Sequence, residues 1–507
     1  MPELSSDELG QHIITFYNEY DLHVAGRIND QTAFQLIETI EKKFAPDTLC
    51  LSDGTRIWNL LRVFLYANPS LTTPPTRKQT LNKKRVQNLF KILKESVTPL
   101  PIPKKQGMIC GFSSGESRKY YQGKFFDIYL DPLTDILEDN LVVFEWPESA
   151  GYHRTYTAAL YSKHYVPIQI PLFSTTFFNL FAYNLFDYRN YTIEPQNEFN
   201  EIIEFISTTA SIDKKRLTQD ILDFITVFVI LKIFFHHLLK NFSPKAVLIR
   251  CGYGRVAMAL AQACRELRIP SVEIQHGLIT SYLPAYIKTT KSENRDCVPE
   301  YLLTYGDVFT SMIQKSSLFE KNKVVSTGFP YLEIQKQQHK TRPSSHRRIL
   351  FTSQWIMADE IQRFIIEAAE QLQKIQPGIE IVFKPHPYDK TDYSSLKKHE
   401  NITFVDRFED IFTLFNTIDI HATVYSTSAL EAMAFGKPNI FVDIHHLTHF
   451  PDSPFIVSSP SQFVAAVQTI VSNYEEYSTQ ALSITNQFFK PNPLKNFTEF
   501  FKKISIL

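Results

Sequence analysis

A chain of 507 residues has room for two or three domains with ample core, and its 53 basic and 53 acidic side chains cancel to a net charge of zero. No global field draws it to nucleic acid, and no long basic tract supplies a local one. Five scattered cysteines (Cys50, Cys110, Cys251, Cys264 and Cys297) form no C-x-x-C pair and are odd in number, which argues against a disulfide framework and for a reducing, cytoplasmic setting without structural zinc. Met1 to Gly10 is polar and acidic, so no signal peptide is expected.

Residues 1–45 read as helical, with apolar positions at three- and four-residue spacing through Ile13, Ile14, Phe16 and Tyr17 and through Phe34, Ile37, Ile40 and Phe44. Asp53-Gly54 is a turn, and Ile57 to Tyr66 an apolar helix. Residues 67–105 hold two proline clusters around a basic helix near Lys83 to Glu95, read as a solvated face or as a contact for membrane or lipid-linked acceptor. From Met108 strands and helices alternate: strands at Met108–Phe112, Phe126–Leu130 and Leu141–Trp146, with the polar loop 113–119 after the first. Residues 150–215 are aromatic and irregular and are not placed.

Leu217 to Leu239 is a long helix. Its apolar part, Ile221 to Leu239, reaches spanning length but carries Asp223, Lys232, His236 and His237, so a buried helix is expected ahead of one lying on a membrane surface. Strands follow at 245–250, 271–274, 301–304 and 323–327, with a helix at 256–267. The polar stretch 333–347 reads as an interdomain linker. Beyond it come strands at 348–352, 380–383, 402–405, 419–422 and 439–442 and helices at 359–374, 411–416, 429–435 and 460–473. Two such series imply an α/β protein with two doubly wound parallel sheets facing a cleft. The expected units are a helical extension (1–105), an N-terminal domain (106–335) and a C-terminal domain with trailing helices (348–507).

The densest chemistry lies between residues 379 and 442. Ile379 to Phe383 is a buried strand, ended by Pro385 and Pro387, which places His386 at its C-terminal end, the edge where ligands bind open parallel sheets. Ser426, Thr427 and Ser428 open a helix that Gly436 stops, and amides at such a helix start suit a phosphate. Glu431 lies in the first turns of that helix, in position to accept from ribose hydroxyls. Lys384 adds positive charge beside a phosphate, faces the core edge or pairs with a carboxylate. In the first series, a strand ends at Gln275-His276-Gly277.

Lys-Pro-His-Pro after a C-domain strand, Gln-His-Gly after an N-domain strand and Ser-Thr-Ser-Ala-Leu-Glu at a helix start together resemble the GT-B glycosyltransferases. They are most similar to the bacterial capsule-polysaccharide and teichoic-acid-type group, which includes the CDP-glycerol glycerophosphotransferases and the retaining Kdo transferases. The resemblance covers roughly residues 245–443. It implies two Rossmann-like domains, the first binding acceptor and the second binding the nucleotide donor. It implies that His276 sits at the reaction centre as base or charge stabiliser, that His386 contacts donor phosphate with Ser426, Thr427 and Ser428, and that Glu431 binds donor ribose. No Asp-x-Asp motif occurs, so no metal and no cofactor are expected.

Secondary candidates flank these. In Gly252-Tyr253-Gly254 the third glycine of a dinucleotide fingerprint is replaced by Ala257, so this loop is read as lining the cleft ahead of binding nucleotide. Gly277 lets backbone approach closely beside His276. Glu116 is a candidate base, Arg118 a candidate anion contact, and Asp307 a further cleft residue. Asp443, His445, His446 and His449 form a tract read as a loop over the donor ahead of a metal site. The function expected is transfer from a CMP-, CDP- or UDP-activated sugar or polyol donor to a glycan or lipid-linked glycan, in surface polysaccharide synthesis. The protein would be cytoplasmic with possible peripheral membrane contact, and would not bind nucleic acid. The rivals are a UDP-sugar 2-epimerase of the same architecture and a non-catalytic glycan- or nucleotide-binding scaffold.

Overall fold

The computed structural model describes residues 30–67, 107–146, 159–168, 192–338, 348–354, 357–386, 389, 391–424, 426–444 and 453–507. In chain order the strands are β1 (Cys50–Leu51), β2 (Ile109–Ser114), β3 (Arg118–Tyr121), β4 (Lys124–Asp127), β5 (Leu141–Trp146), β6 (Tyr165–Pro167), β7 (Ile193–Glu194), β8 (Ala246–Ile249), β9 (Ser271–Ile274), β10 (Tyr301–Thr304), β11 (Val324–Ser326), β12 (Arg348–Thr352), β13 (Glu380–Lys384), β14 (Ile402–Phe404), β15 (Ile420–Thr423), β16 (Asn439–Val442) and β17 (Ile456–Val457). The main helices are α1 (Asp30–Lys43), α2 (Trp58–Ala67), α3 (Gln196–Ala210), α4 (Lys214–Phe242), α5 (Arg255–Leu267), α6 (Asp307–Gln314), α7 (Pro330–Gln338), α8 (Ala358–Ile375), α9 (Ile411–Phe415), α10 (Ser428–Ala434), α11 (Pro460–Ser472), α12 (Tyr474–Phe488) and α13 (Pro493–Lys503).

Two parallel sheets result. The first runs β11-β10-β9-β8-β2-β5-β6 and the second β14-β13-β12-β15-β16-β17. Their central strands are buried at nearly every position, as strands covered by helices on both faces must be. In each sheet the chain works outward in one direction and then returns to build on the other side. The order reverses between β2 and β8 in the first sheet and between β12 and β15 in the second. At such switch points the loops diverge and leave a crevice at the strand ends, and this fixes where ligands can enter.

Residues 30–67 are built into the first lobe. β1 pairs with β7, and Ile37, Trp58, Leu60 and Leu61 join the same apolar core as β2, β5 and β8. Ion pairs reinforce the seam: Arg62 with Glu41 at 3.0 Å, Lys288 with Asp47 at 2.7 Å, and Lys232 with both Asp53 and Glu266. α4 is the one helix among the described residues with the length and apolarity to cross a membrane. Phe224, Phe228, Phe234, Phe235 and Leu239 are buried in the core instead, and Asp213 caps its start by accepting from the Arg216 amide at 2.8 Å.

Several expectations are corrected. Arg118 and Lys119, read as the end of a loop, instead open β3, which makes an antiparallel hairpin with β4. The strand expected at 126–130 therefore starts earlier and ends at Asp127. The polar stretch from 333 begins as helix, because Pro330, Tyr331, Leu332 and Gln335 of α7 are buried and anchor it. Within the unplaced 150–215 the structure has β6, β7 and α3. The basic segment at 83–95, the N-terminal helix before Asp30 and the tract His445, His446, His449 lie outside the described residues.

The C-terminal helices cross between the lobes. Ser478 of α12 donates to the Gly436 carbonyl at the end of α10 (2.7 Å), while the Lys490 amide donates to the Tyr305 carbonyl of the first lobe (2.8 Å). Phe497, Phe500 and Phe501 of α13 then bury themselves in the first lobe's core. Gly306 permits the crossing: a Cβ there would stand 2.4 Å from the Phe488 carbonyl group.

Candidate functional site

On the first lobe, the Gln-His-Gly turn at the end of β9 is held from three sides. The Gln275 amide donates to the Leu303 carbonyl at 2.9 Å, its side-chain Oε1 accepts from the Tyr305 amide at 2.7 Å, and its Nε2 donates to the Gly277 carbonyl at 2.8 Å. Gln275 is fully buried and acts as the pin of the motif. His276 is thereby presented at the strand edge, half-buried. Its carbonyl accepts from Tyr129 Oη at 2.8 Å, and its Nε2 lies 3.3 Å from Tyr253 Oη. At the switch point, Arg250 at the end of β8 donates to Ser114 Oγ at the end of β2 and sets its guanidinium 5.8 Å from the Tyr129 ring. Tyr129 and Arg250 carry no motif that would single them out in sequence, and Tyr129 falls where a strand is expected; Tyr253 and Gln275 lie within Gly-Tyr-Gly and Gln-His-Gly, but those tripeptides do not show what the two side chains bond.

Gly252 and Gly254 take different parts. A Cβ on Gly252 would meet the Glu273 carboxylate at 2.1 Å, so this glycine serves packing, and its amide donates to Glu273 at 2.8 Å. Gly254, at φ +98, turns the chain into α5 with open space around it, and Gly277 is likewise open. Glu273 also accepts from Tyr286 Oη at 2.5 Å, and burial pushes its carboxyl up to about 7. The unfolded chain ionises this group nearer 4.5, so its contribution to stability is full at acid pH and lost as pH rises toward 7. Glu273→Gln is expected to flatten that part of the pH dependence of Tm between pH 5 and 8. A slope identical to wild type would refute the assignment.

Arg118 does not present itself to a ligand. Its side chain is fully buried, 2.5 Å from Glu145 and 3.5 Å from Asp131. These carboxylates and Asp127 hold its proton more firmly than usual, although burial opposes them. The anion-contact expectation is corrected accordingly: the guanidinium neutralises a buried acidic cluster, in which burial and the Asp127 charge push Asp131 up to about 7. Glu116 lies in the turn Gly115–Ser117 after β2, and its side chain is outside the described residues. Asp307 is exposed at the first position of α6, with Gly306 as its N-cap.

On the second lobe, the switch point gathers Thr352 and Ser353 from the end of β12 with the loop after β15. The His386 amide donates to Ser353 Oγ at 3.1 Å, which fixes the backbone of the Lys-Pro-His turn. Ser428 Oγ lies 3.1 Å from Thr352 Oγ1, which lies 3.2 Å from His421 Nε2, whose Nδ1 is 2.5 Å from Asn439 Oδ1. This buried chain crosses β16, β15 and β12 to reach α10. Burial pushes His421 down to about 4, so it stays neutral. Ser428 is thus 4 % exposed and committed to the fold. Ser426, whose Oγ accepts from the Ser428 amide at 3.2 Å, and Thr427 are half-buried at the helix start.

Lys384 Nζ donates to the Arg407 carbonyl at 2.6 Å, and burial together with nearby Lys119 brings it down to about 8. Glu431 is pushed up to about 7 by burial, opposed by Lys119 and reinforced by Asp410. Its charge also acts on Tyr129, Tyr305 and Tyr331 of the first lobe, which places it at the junction of the two lobes. The structure therefore brings His276 and Glu431 toward one cleft through Tyr129 and Tyr305. Among the described residues, no group of three His, Cys, Asp or Glu side chains is arranged to hold a metal ion.

Three solved structures are similar to this chain at low identity. UDP-GlcNAc 2-epimerase from Neisseria meningitidis bound to UDP-GlcNAc is 15% identical, with 78% of this chain and 100% of that one covered at a TM-score of 0.48. The epimerase from Methanocaldococcus jannaschii in complex with UDP-GlcNAc and UDP is 13% identical (78% and 100%, TM-score 0.46). The wall teichoic acid polymerase TagF is 12% identical (83% and 96%, TM-score 0.45). No assignment of function rests on likenesses at this level. No curated protein matches the chain in sequence. Residues 275–446 match the sequence model of the family described as CDP-Glycerol:Poly(glycerophosphate) glycerophosphotransferase, an interval that begins at Gln275 and contains His276, His386, Ser426, Thr427, Ser428 and Glu431. Over that stretch the chain carries the pattern of a transferase family.

Proposed function

We propose that the protein transfers a glycerophosphate-like polyol-phosphate or phosphosugar group from a cytidine-diphosphate-type donor to a hydroxyl of a glycan or polyol-phosphate acceptor, in the assembly of a surface polymer. The observation that carries this reading is positional. The matched stretch delivers His276 to the end of β9, next to the β8 side of the first switch point, and His386, the α10 start and Glu431 to the strand ends around the β12/β15 switch point. In the reaction the acceptor oxygen forms the new bond to phosphorus, the phosphoanhydride breaks, and the nucleotide leaves with the bonding pair. His276 takes the hydroxyl proton as general base. Ser426, Thr427 and His386 hold the donor phosphates, and Glu431 accepts from the ribose. Closure of the lobes excludes water from the donor. We assign the reaction to the cytoplasm, with any membrane contact left to the basic segment 83–95.

A thermal-shift panel of CMP, CDP, UDP, GDP and ADP, with and without magnesium, tests the donor half. A nucleotide at a hundredfold excess over Kd raises stability by about 2.7 kcal/mol. A cytidine-selective shift followed by CMP release from CDP-glycerol in the presence of acceptor supports the reading. No shift with any nucleotide, and no CMP release, would overturn it. UDP-selective binding with interconversion of UDP-GlcNAc epimers would replace it with the epimerase.

A further inference from the structure

Beside the reaction edge runs a groove of about 880 Å³ that no catalytic role explains. One wall is a face of α6, where Asp307, Val308, Ser311, Met312 and Lys315 recur at helical spacing. The facing wall is the loop after His276, with Ser281, Ile287 and Thr289, and the end of α12 closes the groove with Asn486 and Gln487. The volume is that of a small-molecule or oligomer site. Ile287 and Met312 supply an apolar floor, while Ser281, Asp307, Ser311, Lys315, Asn486 and Gln487 are exposed along it.

We propose that this groove binds the acceptor chain, a hydroxyl-rich polyol phosphate laid along α6 with its hydroxyl terminus toward His276 and a phosphodiester beside Lys315; the proposal rests on the transferase reading. Position supports the direction. Asp307 stands just beyond the end of β10, whose Leu303 pairs with Ile274 of the His276 strand, and Ser281 is in the same loop as His276. Lys315 lies eight residues further on, about 12 Å along the helix axis. A carboxylate at the head suits hydroxyl donors and repels phosphate, while an ammonium at the far end attracts phosphate. Ser311, one turn from each, and the two amides supply both donors and acceptors for hydroxyls between them.

The groove also touches the donor side. α12 forms its closing wall and, through Ser478 and Gly436, packs on α10, the helix that carries Glu431. The close approach of Phe488 to Gly306 keeps Asn486 and Gln487 beside Asp307. An acceptor seated in the groove thus rests on the helix that supports the donor site.

The test uses a synthetic glycerophosphate oligomer and CDP as separate calorimetric probes on the full chain. Wild type should bind both. Lys315→Glu should weaken oligomer binding roughly tenfold or more and make it less salt-dependent, with CDP affinity kept. Ser311→Trp, which fills the groove from an exposed helix face, should weaken the oligomer in the same way. Both positions are exposed, so Tm should stay at the wild-type value. Oligomer binding unchanged in both variants, or absent in a wild type that binds CDP, overturns the groove and leaves the transferase reading standing. Failure of wild type to bind CDP as well removes both.

Discussion

Replacing His276 with alanine is expected to lower kcat by roughly 10² to 10⁴-fold, the range general acid–base catalysis contributes. Donor affinity should change little, because the residues proposed to hold the nucleotide are on the other lobe. Stability should also hold: the histidine is half-buried, and the Tyr129 bond goes to its backbone carbonyl, which alanine retains. Tyr253→Phe makes the companion measurement. It removes the hydroxyl 3.3 Å from Nε2 and should shift the pH profile of kcat without abolishing turnover. A His276→Ala enzyme with wild-type kcat would end the assignment.

The second large effect belongs to Glu431. Alanine there should weaken CDP binding roughly 10- to 100-fold, the value of hydrogen bonds to a charged group. The sign of the pH dependence follows from its carboxyl being pushed up to about 7. Above that pH the charged form accepts strongly from ribose hydroxyls; below it the protonated form accepts weakly. Wild-type affinity should therefore rise between pH 6 and 8, and Glu431→Gln should be flat over the same window. Folding responds in the opposite direction, since a buried carboxyl with a raised pKa loses stability as pH climbs toward 7. Glu431→Gln should be no less stable than wild type at pH 8. Equal CDP affinity in wild type and Glu431→Ala, measured calorimetrically at pH 8, would remove Glu431 from the donor site.

Much of the second lobe is legible in sequence because its signals are local. β13 is a compact apolar run stopped by prolines, and α10 has its hydroxyl start, its apolar body and its Gly436 stop within a dozen residues. What decides the state of individual site residues is not local. Arg118 looks like a cleft cation until Asp131, 13 residues on, and Glu145, 27 residues on, fold over it. Ser428 looks like a phosphate contact until Thr352, 76 residues earlier, meets it. The alternation of the first lobe is readable, but the β3–β4 hairpin is missed because its strands of four residues are too short to show a period. Gln275 opens the Gln-His-Gly motif, but its role is hidden for another reason. Its task is to bond backbone on β10 and on its own turn, and composition carries no trace of such bonds.

The crossing of α12 and α13 means that position along the chain and membership of a lobe part company after residue 473. Residues 348–507 excised as a unit would carry the second sheet intact but would leave Phe489, Phe497, Phe500 and Phe501 without the surface that covers them. Such a fragment invites self-association through that aromatic strip. An exchange of nucleotide lobes between related enzymes that joins at about residue 473 would keep α13 with the first lobe, whose core it fills, but would part α12 from α10, against which it also packs. A swap made at the linker alone would carry a foreign helix into the wall of the groove along α6.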